Sequence, residues 1–192
     1  MKHLVLGAVF GLGMVCAILP AQSAVVINVT DTGGTLTFKT TGSLDLTGAS
    51  FLGVRFESDG FISGGNNWYV ASGTASSVDS YAMTTFDGPF GTNLSFFSGP
   101  TTSLGDQFFI WGNVGITEQV GVPVGYISGT IFNSNMAFAG LTIAGVGLLR
   151  GTYNYAIPND TITLNISSVP LPGALPLLGI GFLGRRRKQK TG

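Results

Sequence analysis

The sequence predicts an all-β chain folded as an antiparallel β-sandwich or jelly roll. Three observations point there. Apolar and polar residues alternate in several short runs, the period of a strand with one buried face. Clusters of Gly, Pro, Asn and Asp separate those runs. No stretch of the body carries an apolar stripe at helical spacing, and 30 of the 192 residues are glycine. A barrel is the alternative closure of the same strands.

The elements follow in order. Val25, Ile27 and Val29 alternate with Val26, Asn28 and Thr30. Leu36 and Phe38 alternate with Thr35, Thr37 and Lys39 after the turn Asp31-Thr-Gly-Gly34. Phe51 to Phe56 is a further run, closed by Asp59-Gly60. Gly64-Gly-Asn-Asn67, Asp87-Gly-Pro89 and Gly99-Pro100 are turn signals. Gln107 to Trp111 is dense enough for a strand buried on both faces. Tyr126 and Ile127, then Ile131 and Phe132, read as strand. The Gly-rich segment from Phe138 to Gly151 fits either bulged strands or a loop. Ile162, Leu164 and Ile166 alternate with Thr161, Thr163 and Asn165 after the turn Pro158-Asn-Asp160.

Two ends flank this body, giving three regions: residues 1–24, 25–168 and 169–192. The first opens on Met1-Lys2-His3, runs apolar from Leu4 to Leu19, and ends in the small residues Pro20-Ala21-Gln22-Ser23-Ala24. That is the layout of a secretory signal peptide. Cleavage after Ser23 sets small Ala21 at the third position back. Cleavage after Ala24 sets Gln22 there, a poorer fit. Cys16 and His3 are the only Cys and His, and both lie in this leader. The body therefore lacks thiol nucleophiles, His-based triads, imidazole or thiolate metal sites, and disulfides. It holds all nine acids against three bases, Lys39, Arg55 and Arg150, a net charge of −6. That balance argues against nucleic acid as a partner. No cofactor is expected.

The C-terminal region runs Val169-Pro170-Leu171-Pro172, an apolar stretch to Gly184, then Arg185, Arg186, Arg187 and Lys188. The prolines hold the chain extended. The apolar stretch partitions into lipid as a short helix, and the basic cluster resists translocation. The stretch from Leu171 to Gly184 is 14 residues, where a spanning helix needs about 20. This order of parts resembles the PEP-CTERM sorting signal of Gram-negative bacteria, in its Val-Pro-Leu-Pro variant. Leu171 stands where the commoner form has Glu. The resemblance implies export through the Sec translocon and transient retention in the inner membrane. It implies processing by an exosortase near Pro172, then delivery to the cell surface or an exopolysaccharide and biofilm matrix. In the body, Val120 to Gly129, Phe138 to Thr142 and Gly151 to Tyr155 look like a segment frequent in such proteins with a small β-sandwich. In that reading Thr152 to Ile166 is the hairpin that closes the sandwich.

Three function classes remain for the body. The first is a non-enzymatic surface or matrix protein, which the tail and the acidic, His-free, strand-rich body favour. The second is a carbohydrate-binding module of the same matrix. Its candidate residues are Trp68 and Tyr69, which follow a polar turn, with Trp111, Phe108, Phe109 and Tyr126 as further rings. Asn66, Asn67 and Asn113 supply hydrogen-bonding groups. The third is a hydrolase working with carboxylates alone. Glu57 and Asp59 share a strand face if their strand continues; the ordinary alternative is a surface pair leading into the turn at Gly60. The hydrolase needs Glu57, Asp59 or Asp106 in a concave pocket with a second acid opposite. Glu57, Asp59 and Asp45 are also the oxygens from which a calcium site could be drawn, although their spacing lacks the alternation of a calcium loop.

Overall fold

The computed structural model describes residues 24–168, apart from 93, 94, 96 and 114. The signal peptide, except Ala24, and the whole sorting tail with Val169 to Pro172 and Arg185 to Lys188 lie outside the described residues. Within them the chain is all-β, two seven-stranded sheets packed as a sandwich. The strands are numbered along the chain. The first sheet runs, in spatial order, β7 (Thr85–Phe86), β13 (Gly151–Ile157), β14 (Asp160–Ser168), β1 (Ala24–Asp31), β2 (Thr35–Gly42), β12 (Phe132–Ala139) and β9 (Thr102–Gly105). The second runs β3 (Phe51–Glu57), β6 (Ser76–Ala82), β11 (Gln119–Pro123), β10 (Phe108–Asn113), β5 (Asn67–Ser72), β4 (Phe61–Ser63) and β8 (Phe97–Ser98).

The alternating runs point their apolar sides into one core. Val25, Ile27 and Val29 of β1, Leu36 and Phe38 of β2, and Ile162, Leu164 and Ile166 of β14 are all buried there. Val70, Phe108, Ile110, Val120 and Val122 meet them from the second sheet. Burying each such side chain is worth about 1.5–3 kcal/mol. A chain of buried hydroxyls also ties the sheets. Ser72 of β5 bonds Thr40 of β2 at 3.0 Å and Ser134 of β12 at 2.7 Å. Without cysteine after Cys16, no disulfide within the body supports this core.

Four expectations need correction or completion. The sandwich is not wholly antiparallel: β1 and β14 pair in parallel, Ile27 beside Leu164. These strands are remote in sequence, so no tight turn dictates their direction. The β13–β14 hairpin is present and lies between β7 and β1 in the first sheet. Tyr126 and Ile127 are not strand; they lie in the turn between β11 and β12, where the tyrosine hydroxyl bonds Leu44 N and Thr130 O. Beyond Ala139 the Gly-rich segment is turns up to Arg150, with one bridge from Leu148 to Gly91.

The second sheet is strongly curled, and chain length shows why. β3 and β4 lie five inter-strand steps apart in the order of that sheet, about 24 Å along a flat sheet. Yet only residues 58–60 join them, and four residue steps reach about 14 Å. The sheet must bend until β3 faces β4 across its outer side. A bulge between Phe51 and Gly53 breaks the β3–β6 register. Gly53 has φ 135° there, a conformation that suits glycine. Asp59 fixes the crossing by accepting a hydrogen bond from Ala75 N at 2.6 Å.

Candidate functional site

The curl makes the outer face of the second sheet concave and gives it a small core of its own. Tyr69 and Ala71 of β5, Val78 of β6 and Phe109 of β10 are buried there, with Phe61 and Trp111 packed against them. The Tyr69 and Phe109 rings stack at 5.8 Å, and Phe61 meets Tyr69 edge-on at 6.0 Å. Gly121 of β11 leaves the space that the Phe109 ring fills.

A hollow of about 390 Å³ opens where β3 faces β4 and β5, within the range of small-ligand sites. Arg55, Glu57 and Ser58 line one side; Phe61, Asn67, Tyr69 and Trp111 line the other. Arg55 and Glu57 are two apart on β3 and so share its concave face. Their side chains form an ion pair between Arg55 Nε and Glu57 Oε1. The guanidinium lies over the rings of Phe109 and Trp111, 4.8 and 5.2 Å from their centroids. The Tyr69 hydroxyl donates to Glu57 Oε2. The Trp111 indole N–H donates to Asn67 Oδ1 at 2.7 Å. Burial pushes the Tyr69 phenol far above the usual tyrosine range. Its bond to Glu57 and the carboxylate charge push it further, and Arg55 pulls it back. The hydroxyl therefore stays protonated and holds the carboxylate as a donor.

The sequence candidates divide across the sheet. Tyr69, Trp111 and Asn67 come together at the hollow. Trp68 points the other way, 2% exposed, into the main core beside Tyr155, Phe90 and Phe86. The reason is strand alternation: adjacent residues of β5 face opposite sides. So Trp68 and Tyr69 do not form one platform. Trp68 instead borders, with Asn66 and Asn113, a smaller hollow of about 210 Å³. Phe108 is buried against Phe132. Asp106 and Tyr126 line a third hollow, of about 260 Å³, where Asp106 accepts from Asn133 N at 3.1 Å.

The carboxylates are separated too. β3 ends at Glu57, which is 4% exposed, so Glu57 and Asp59 are neither a continued strand face nor a surface pair. Asp45 is occupied by Thr47, whose hydrogen bonds hold its carboxyl below the usual range. Glu57 is the one acid lining the first hollow and Asp106 the one lining the third. Among the described residues no group of three or more His, Cys, Asp or Glu could hold a metal ion, and no helix is long and apolar enough to cross a membrane. The residue that sequence reasoning missed is Arg55. One of three cations in the body and two positions from Glu57, it carried a readable signal: opposite charges on one strand face.

Comparisons of the chain with protein-family models, with curated proteins and with solved structures found no match.

Proposed function

We propose that this is an exported, non-catalytic protein of the cell surface or matrix whose curled second sheet holds a glycan in the β3–β5 hollow. The observation that supports it is the lining. Flat aromatic walls, Phe61, Tyr69 and Trp111, adjoin Arg55 and Asn67 in an open hollow. Apolar sugar faces pack on such rings while side-chain amides and guanidinium groups take the hydroxyls. A carboxylate-pair hydrolase is disfavoured by the same lining, because its one acid is already tied to Arg55 and Tyr69. Delivery rests on the sequence of the tail: Sec export, transient inner-membrane retention, and exosortase release at Val169 to Pro172. Signal cleavage after Ser23 keeps every described residue of β1, Ala24–Asp31.

Calorimetry of the protein against bacterial exopolysaccharide tests the binding half. Trp111→Ala is expected to weaken binding strongly with the fold intact; binding unchanged in that variant rejects the site. The mass of the mature C-terminus, in a host with and without exosortase, tests the delivery half. A terminus near Pro172 is expected in the first and an uncut tail in the second.

A further inference from the structure

The hollow offers free hydrogen-bond donors, while each of its side-chain acceptors already faces a donor or a cation. Glu57 Oε1 faces Arg55 Nε, and Glu57 Oε2 takes the Tyr69 hydroxyl. Asn67 Oδ1 takes the Trp111 indole N–H. On the donor side, the guanidinium engages Glu57 through Nε alone. Its two terminal Nη groups have no partner among the described residues, and neither does the Asn67 amide nitrogen. Ser58 adds a hydroxyl at the exposed rim. The guanidinium lies over two rings and is tethered at Nε, so its free fork is held in one orientation.

A neutral sugar meets these donors only through single hydroxyl oxygens, whose own protons are left to water at the open rim. A carboxylate brings acceptors alone, and its two oxygens match the two Nη groups end-on. On the reading that the hollow binds glycan, we propose that it selects acidic sugars, with Arg55 receiving the carboxylate of a uronic acid residue. Asn67 then donates to a neighbouring ring or hydroxyl oxygen, and Trp111 packs on the sugar face. The acidity of the body as a whole does not oppose this strongly. Selection comes from directed hydrogen bonds at short range, while the surrounding charge is screened beyond about 10 Å in ordinary buffer.

The test uses the full chain in detergent micelles and two probes of one backbone. They are tetragalacturonic acid and the same tetramer with its carboxyls reduced to alcohols. The acid is expected to bind about tenfold more tightly than its reduced form. Arg55→Lys keeps a cation beside Glu57 but removes the planar fork, and is expected to erase most of that preference. Trp111→Ala is expected to weaken both probes together. Equal binding of the two probes, or a preference unchanged in Arg55→Lys, overturns the acidic-sugar inference while leaving the glycan site standing. If neither probe nor any neutral oligosaccharide binds, the glycan reading falls and this inference falls with it.

Discussion

Trp68 and Tyr69 are neighbours in β5 and serve two different interiors. Trp68 enters the core between the sheets, among Val, Leu, Ile and Phe side chains. Tyr69 enters the concave side of the second sheet, where a four-residue cluster borders an ion pair and an open hollow. The first interior is sealed by two seven-stranded layers and carries the fold. The second is sealed by curvature alone, so water reaches its rim. That is why it can hold Arg55 and Glu57, whose side chains are 36% and 5% exposed. A single strand thus supplies a structural face and a binding face, and the difference between them can be measured.

The largest effect belongs to the sealed interior. Trp68→Ala removes a ring packed on Tyr155, Phe90 and Phe86, and should cost about 3–5 kcal/mol. Urea unfolding reads this directly. Trp111→Ala, on the open side, should cost about 1–2 kcal/mol, because that ring is only partly buried. If the two tryptophans cost the same, the contrast between the interiors is lost.

Next comes the ion pair, whose two halves should be unequal. Removing one partner of a buried pair leaves the other uncompensated. Arg55→Met strands the buried Glu57 carboxylate and should cost about 2–3 kcal/mol after allowance for the exposure of Arg55. Glu57→Gln leaves the half-exposed cation to water and keeps an acceptor for Tyr69, so about 1 kcal/mol is expected. Thermal unfolding of the two variants checks the order, and a larger loss for Glu57→Gln contradicts the geometry described for the hollow.

The same contrast explains what could be read before the structure. The sealed interior was legible because period-two alternation in β1, β2 and β14 states which face is buried. The curled side was not. Its floor comes from non-neighbouring strands, and its rim exists because residues 58–60 are too short to cross a flat sheet. Periodicity carries no information about curvature. Sequence neighbourhood pools Trp68, Tyr69, Phe108, Phe109, Trp111 and Tyr126, whereas strand face keeps only Tyr69, Phe109 and Trp111 together. β3 departs from the rule for an apolar run: Phe51, Val54 and Phe56 are 56%, 60% and 69% exposed on the edge strand of the second sheet.

Two glycines sharpen the comparison at a smaller scale. Gly112 leaves room for the Trp68 indole in the sealed interior, and Gly121 leaves room for the Phe109 ring on the curled side. Each ring is fixed by its neighbours, so neither can swing aside. Alanine at either position should cost about 1–3 kcal/mol by overpacking. Only Gly121→Ala should also weaken glycan binding, because Phe109 supports the Arg55 guanidinium. Equal loss of binding in both variants points to general destabilisation instead.

The smallest effect uses one tyrosine from each interior as a probe. Burial pushes the Tyr155 phenol well above its usual range, with Asp87 and then Tyr153 adding to the shift. Burial does the same to Tyr69, with Glu57 adding and Arg55 subtracting. The folded values lie above the unfolded value of about 10, so the folded state keeps protons that the unfolded chain releases. Their contribution to stability is complete below about pH 10 and declines as the pH rises toward the folded values, by about 1.4 kcal/mol per pH unit for each tyrosine. Tyr69→Phe and Tyr155→Phe should each remove one such increment from the alkaline slope. Ultraviolet titration separates the interiors further. Glu57→Gln removes a charge that helps hold the Tyr69 proton, so phenolate should appear at lower pH in that variant. Tyr155 has no such partner in Glu57, and its ionisation should remain tied to global unfolding. A Glu57→Gln titration that matches the wild type would mean that the carboxylate and the phenol are not in contact, and the donor-rich hollow would lose the bond that leaves Arg55 its free fork.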